Sequence, residues 1–197
     1  MAAGKPTACK EAIRRWEEET GGDAATATEV DLSFQWPPLE KMDNALATLA
    51  GCERLSLSTN RIEKIAGVAA LGRLKVLSLG RNSIKSLAGL EPLGDTLEEL
   101  WISYNCLEKL KGIQAMQKLR VFYASNNQLR EWAEVVRLQD LPRLRDLVLA
   151  GNPICEGVEV EAWRAEVARR LPLLDKLDGD PVLRDEDGPL VRESRPE

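Results

Sequence analysis

Residue types that commonly carry enzyme chemistry are sparse in this sequence. Histidine is absent from all 197 residues. That removes the commonest general base and the imidazole metal ligand, and it excludes Ser–His and Cys–His nucleophile pairs within the chain. Four cysteines, Cys9, Cys52, Cys106 and Cys155, lie far apart and form no Cys-x-x-Cys pair. We therefore predict no metal site and expect reduced thiols.

Carboxylates could still support acid–base chemistry, and Glu98 with Glu99 is one adjacent pair. In an extended strand, adjacent side chains point to opposite faces, so these two are not expected to act together. No Walker A, Gly-x-Gly-x-x-Gly or His-Glu-x-x-His pattern occurs. We therefore predict a protein that is not an enzyme and that has no catalytic residues and no cofactor.

The composition of the chain narrows the possible classes of protein and of binding partner further. The chain is 44% hydrophobic and 30% charged, which is enough apolar material for a substantial core. Its net charge of -5 argues against sequence-independent nucleic-acid binding, which needs a basic footprint. No window approaches 18 uninterrupted apolar residues, so no membrane span is expected.

A repeat organises the chain. Five segments share the frame Leu-x-Leu-x-x-Asn-x-Leu/Ile, and their framing asparagines are Asn60, Asn82, Asn105, Asn127 and Asn152. The asparagines are spaced by 22, 23, 22 and 25 residues, within the range of leucine-rich repeats. Glycines at equivalent offsets, Gly67, Gly89 and Gly112, indicate a recurrent tight backbone conformation.

The frame has a physical explanation. Leu-x-Leu alternation predicts short strands with leucines inward and the x residues outward. The asparagine amide can both donate and accept, so it can satisfy backbone groups that the turn buries. The fold class is therefore predicted to be α/β, a leucine-rich-repeat solenoid with a parallel concave sheet.

The ends of such a solenoid need caps. An N-terminal helix is predicted with Thr7 as its N-cap and Gly21 or Gly22 at its end, and a helical cap is predicted over 159–172. A longer helical return is expected at 134–139. We divide the chain into an N-terminal helix with a degenerate first repeat (1–45), the repeats (46–157), a C-terminal cap (158–180) and a charged tail (181–197).

Outward positions of the strands predict where a partner would bind. Trp101 and Tyr123 would lie on adjacent strands about 5 Å apart, and the valines expected around them are Val76, Val121 and Val148. A charged rim is predicted from Arg54, Arg81, Glu99 and Asp146. The two aromatics could simply pack on each other as a cross-strand pair. An exposed patch of this kind on a concave face nevertheless favours a protein-binding site.

Specific segments carry a family resemblance. The stretch GDTLEELWISYN (94–105), with PPLEKMDNALATLAGCERLSLSTNRIEKIAGV before it and LPLLDKLDG near the end, resembles the leucine-rich-repeat light chains of axonemal outer-arm dynein. The resemblance covers about residues 5–183. It implies a regulatory subunit of the ciliary motor, located in cytoplasm, cytoskeleton and the axoneme of cilia or flagella.

The resemblance also implies partners. An outer-arm heavy chain would dock on the concave patch, with its microtubule-binding stalk head as the expected site, and tubulin is a further implied contact. Tail arginines Arg184, Arg192 and Arg195 could meet acidic groups of tubulin or the heavy chain. The free protein is expected to be a monomer that binds neither nucleic acid nor membrane.

Other functions remain open at this point. The same fold could serve as a phosphatase regulator or scaffold, although such regulators usually have longer arrays. A splicing-type partner for an RNA-binding protein is a further alternative, which nuclear localisation would favour.

Overall fold

One sheet of eight short strands runs through the computed structural model, which describes residues 4–184. The strands are β1 (Glu29–Asp31), β2 (Arg54–Ser56), β3 (Val76–Ser78), β4 (Glu99–Trp101), β5 (Val121–Tyr123), β6 (Asp146–Val148), β7 (Lys176–Leu177) and β8 (Asp180–Pro181). Strands β1 to β7 are parallel and follow chain order, and β8 is antiparallel to β7. The predicted solenoid with a parallel sheet is therefore confirmed.

Helices form the caps and the returns. The α-helices are α1 (Cys9–Thr20), α2 (Trp132–Arg137) and α3 (Val160–Arg170), and the 3-10 helices are Asn44–Leu49, Glu91–Leu93, Ile113–Ala115, Leu138–Asp140 and Pro153–Cys155. The longer return of the fourth repeat is α2 with the 3-10 turn after it. It begins two residues earlier than the sequence predicted.

The core lies behind the sheet, and its repeat is in register. Leu55, Leu77, Leu100, Phe122 and Leu147 stand opposite one another on successive strands, and all five are buried. Because each of the strands β2 to β6 has only three residues, the inward position in its middle contributes one side chain per turn to a continuous column. This column supports the outward residues on either side of it.

Asparagines hold the turns that follow the strands. Asn127 shows the pattern: its Nδ2 donates to the carbonyls of Ile102 at 3.1 Å and Ala124 at 3.1 Å, and its Oδ1 accepts from the Leu107 amide at 2.9 Å. Asn60, Asn82, Asn105 and Asn152 make equivalent bonds. Each amide thus joins two successive turns and satisfies backbone groups that the core would otherwise leave unpaired.

The N-terminal cap differs from the prediction in its first turn. Helix α1 starts at Cys9 after Ala8, which makes no side-chain capping bond. Thr7 is instead paired with Leu39 by a parallel bridge and donates its hydroxyl to the Pro37 carbonyl. The prediction of Thr7 as N-cap was wrong because this residue joins the first repeat. The helix ends as predicted at Gly21, whose φ is 70°.

The C-terminal cap closes the last repeat through Asp178. Its Oδ1 accepts from the amides of Leu149 at 2.7 Å and Ala150 at 2.9 Å. Its Oδ2 accepts from the indole Nε1 of buried Trp163 on α3 at 2.9 Å. Beyond residue 180 the chain is still attached, since the Val182 amide donates to the Asp175 carbonyl at 2.7 Å.

Candidate partner-binding face

The outward side chains of the strands form the concave face. Strand register places Trp101 opposite Tyr123, with Ser78 on one side of the pair and Val148 on the other. The alternation that buries the leucines therefore leaves one column of polar, aromatic and aliphatic residues on the open side of the sheet. Both aromatics are half-buried, so part of each ring is accessible.

Trp101 and Tyr123 stack on each other. Their ring centroids are 6.1 Å apart and their planes differ by 19°, a stacked geometry typical of favourable aromatic pairs. The cross-strand packing considered for the sequence is therefore present. It leaves a rigid aromatic platform in the centre of the concave face, and a rigid platform loses little conformational entropy when a partner covers it.

Asp146 fixes the tyrosine end of this platform. The Tyr123 hydroxyl donates to Asp146 Oδ2 at 3.0 Å. Burial, this hydrogen bond and the negative charges of Asp146 and Glu99 together raise the pKa of Tyr123 above its ordinary value. The phenol therefore stays neutral at physiological pH and acts as a fixed donor to the carboxylate.

The three predicted valines differ in exposure. Val121 and Val148 are half-buried beside the aromatic pair, where they extend its apolar surface. Val76 is only 7% exposed. It lies on the same side of the sheet as the aromatic pair and lines the same groove as Trp101. It is nevertheless covered by its neighbours and offers almost no surface to a partner.

The predicted charged rim is divided between two edges. Arg54, Glu99 and Asp146 share one column of outward positions, and the Arg54 Nε lies 3.6 Å from a carboxylate oxygen of Glu29. Arg81 lies apart from them, in the turn after β3, with a left-handed φ of 54°. Its guanidinium stacks over the Tyr104 ring, 4.4 Å from the centroid. Arg81 is therefore an edge residue and does not belong to that column.

Comparison with known proteins gives the chain a family. Dynein axonemal light chain 1 of Danio rerio is 58% identical over 184 residues, which cover 93% of this chain and 96% of the relative. The proteins of that name from Homo sapiens and Chlamydomonas reinhardtii are 56% and 50% identical, covering 91% and 92% of this chain and 95% and 94% of their own lengths. The chain belongs to the axonemal dynein light chain 1 family. The resemblance found in the sequence is confirmed, although no family model matches.

Solved structures agree on the fold of this light chain family member. A leucine-rich-repeat protein of Leptospira interrogans is 26% identical with a TM-score of 0.59, over 75% of this chain and 36% of that one. An internalin C2 of Listeria monocytogenes is also 26% identical with a TM-score of 0.57, over 71% of this chain and 58% of that one. Both are similar through their repeats.

Of the three tail arginines named for this dynein light chain family member, the structure describes only Arg184. The guanidinium of Arg184 donates to the carbonyls of Leu174 at 2.7 Å and Leu171 at 3.1 Å. These bonds hold the side chain against the C-terminal cap, while the residue itself is exposed. Its contact with acidic groups of a partner stays a prediction. Arg192 and Arg195 lie outside the described residues.

Sequence reasoning missed one wall of the concave face. Trp16, on α1, packs against the core and also lines a concave groove with Glu29, Asp31 and Trp101. Nothing in the local helical pattern could reveal this second role, because it depends on where α1 sits relative to β1. Glu29 and Asp31 could have been found by extending the strand alternation back to the degenerate repeat.

Two further properties bear on chemistry. Between residues 4 and 184, no group of three or more Cys, Asp or Glu side chains is close enough together to hold a metal ion. In the same stretch, no helix combines the length and apolar character that crossing a bilayer requires.

Proposed function

We propose that this chain is a non-catalytic regulatory light chain of ciliary or flagellar outer-arm dynein that binds a dynein heavy chain through its concave face. Membership of the axonemal dynein light chain 1 family supports the motor context. The observation that carries the binding mode is the stacked Trp101–Tyr123 platform at the centre of an open sheet. Aromatic anchors of this kind are typical interface hot spots.

The expected site on the heavy chain is its microtubule-binding stalk head. A light chain held there would lie within reach of tubulin, which we propose as a second contact. The corresponding location is the axoneme, with a cytoplasmic and cytoskeletal pool of a protein that is monomeric when free.

A non-catalytic role is supported by the state of two thiols, those of Cys9 and Cys155. Burial raises the pKa of Cys9 to about 11, and burial with the nearby charge of Asp178 raises that of Cys155 to about 11. These groups are therefore protonated at neutral pH and are poor nucleophiles. With no histidine in the chain, no imidazole is present to activate them.

The test is binding of a recombinant outer-arm heavy-chain stalk head, measured by isothermal titration calorimetry. We expect Trp101→Ala with Tyr123→Ala to weaken binding at least about 100-fold, because two central aromatic anchors are lost. A matched control is Phe34→Ala with Trp36→Ala, since these aromatics are 77% and 82% exposed but are not on the concave strands. The control should bind like the wild type.

Thermal unfolding of both variants separates binding from folding. The concave pair lies outside the core, so its loss should leave a cooperative transition. Undiminished binding by the folded concave variant, or equal losses in both double variants, would contradict the concave-face proposal.

A further inference from the structure

A groove opens on the concave face beside the aromatic platform. It encloses about 360 Å³, and its lining includes Trp16, Ser56, Val76, Ser78 and Trp101. The groove exists because β2 and β3 carry serines where β4 and β5 carry Trp101 and Tyr123. The small residues leave a space, with Trp101 at one end and the side chain of Trp16 on α1 at the other.

One face of the Trp101 ring is directed to this groove. Tyr123, on β5, stacks with an offset against the opposite side of the ring, with nearly parallel planes. The free face is therefore on the side of β3, where Ser78 is the register neighbour of Trp101. A tryptophan face is the aromatic surface that attracts cations most strongly.

The charges of the concave face have the sign that attracts a cation. Its outward strand positions carry the carboxylates of Glu29, Asp31, Glu99 and Asp146 against the cations of Arg54 and Lys176.

Of these four carboxylates, only Glu29 forms an ion pair within residues 4–184, and its partner Arg54 also lines the groove. Asp146 accepts from the Tyr123 hydroxyl. Within residues 4–184, Asp31 and Glu99 form no ion pair. The Asp31 side chain lines the groove itself, and Glu99 lies two residues before Trp101 on the same face of β4.

We propose that this groove receives an arginine side chain of the protein partner, which stacks on Trp101 and is attracted by the Asp31 carboxylate at the β1 side of the groove. This inference deepens the proposed function and rests on it for the identity of the partner. Arginine fits better than lysine because its planar guanidinium can stack on an indole. The hydroxyls of Ser56 and Ser78 supply further acceptors on the floor.

A small probe tests the groove without any heavy chain. The probe is the tripeptide acetyl-Gly-Arg-Gly-amide, and its control contains citrulline, which has nearly the same shape but no charge. Binding is followed by the NMR signal of the Trp101 indole N–H, assigned with a Trp101→Phe variant. We expect a saturable shift with the arginine peptide and an affinity at least about fivefold weaker with the citrulline peptide.

Two variants locate the bound cation. Asp31→Asn removes the proposed counterion and should weaken the arginine peptide at least about threefold, whereas Glu63→Gln, an exposed carboxylate outside the sheet, should leave its affinity unchanged. Equal affinity for the two peptides, no saturable shift at Trp101, or an unaffected Asp31→Asn variant would each overturn the proposal.

The heavy-chain stalk head separates this inference from the function on which it rests. Ser78→Leu fills the groove but keeps the Trp101–Tyr123 pair, and we expect it to weaken stalk-head binding about tenfold. If the stalk head needs the aromatic pair but tolerates Ser78→Leu, the arginine proposal fails and the proposed function stands. If the peptide binds as expected but wild-type protein does not bind the stalk head, the proposed function fails and the arginine site stands.

Discussion

At the scale of single residues, the framing asparagines should contribute different amounts to the free energy of unfolding, according to how deeply each is buried. Asn127 is 1% exposed, and its amide serves the carbonyls of Ile102 and Ala124 and the amide of Leu107. Replacing it with alanine leaves these groups unpaired where water cannot reach them. We expect Asn127→Ala to lower the free energy of unfolding by about 3 kcal/mol or more, as measured by urea denaturation.

Asn82 provides the matched comparison. Its side chain makes the same set of bonds, to the carbonyls of Leu57 and Leu79 and from the amide of Ile62, but it is half-buried. Water can replace part of this network, so Asn82→Ala should cost about 1–2 kcal/mol. Equal losses for the two variants would show that burial does not set the value of these asparagines.

The sequence predicts the sheet face to which a side chain points better than it predicts how much of that side chain is exposed. Period-2 alternation identifies the face to which Trp101 and Tyr123 point, and their stacking follows from their adjacent strands. The same alternation could not reveal that Val76 is covered, since exposure depends on the size and position of neighbours on other elements. Nor could it reveal that Arg81, in a left-handed turn after β3, stacks over the Tyr104 ring.

At the scale of elements, the recurrent glycines share a left-handed backbone conformation but differ in how closely a neighbouring turn approaches them. Gly89 and Gly112 have similar φ values of 101° and 98°. A Cβ at Gly89 would lie 2.0 Å from the Ile65 carbonyl oxygen, whereas a Cβ at Gly112 would meet nothing within 4 Å. The first position therefore needs glycine for both backbone conformation and space, and the second for conformation alone.

Alanine substitutions should separate these two requirements. Gly112→Ala is expected to cost about 1–2 kcal/mol from the left-handed backbone alone. Gly89→Ala should cost at least about 2 kcal/mol more, because the backbone of the preceding turn must move. Chemical denaturation of both variants measures the difference, and a Gly89→Ala loss no larger than that of Gly112→Ala would contradict the close approach.

Element existence was more predictable than element ends. Five in-register frames predicted strands β2 to β6, and the amphipathic pattern over 159–172 predicted α3. Thr7 was misassigned because a threonine near a helix start favours an N-cap locally, while the structure uses it in a bridge to Leu39. Only contacts distant in sequence decide between these two uses.

At the scale of the whole molecule, each turn of the solenoid contacts mainly its neighbours. The order of the strands in the sheet is their order in the chain. The free energy of unfolding should therefore behave as a sum of terms within each turn and at the interfaces between adjacent turns. The repeat predicts this architecture from sequence, but it does not predict how the array is closed. That task falls to Asp178, whose carboxylate accepts from the amides of Leu149 and Ala150 at the end of the last repeat.

Asp178→Ala should therefore open one end of the molecule and leave the other end intact. The substitution removes the acceptor for the amides of Leu149 and Ala150 and for the Trp163 indole, a loss of about 3 kcal/mol or more. In hydrogen–deuterium exchange, protection should fall in β6, β7 and α3, while β2 and β3 exchange like the wild type.

Two controls test whether this effect comes from the cap. Asp178→Asn keeps one acceptor oxygen and a residue that tolerates the left-handed φ of 52°, so it should lose less protection than alanine. Glu161→Ala, at an exposed position of α3, should change nothing measurable. If Asp178→Ala lowered protection evenly from β1 to β7, the turns would unfold as one cooperative unit, and the stability of the concave face could not be adjusted at one end without affecting the whole.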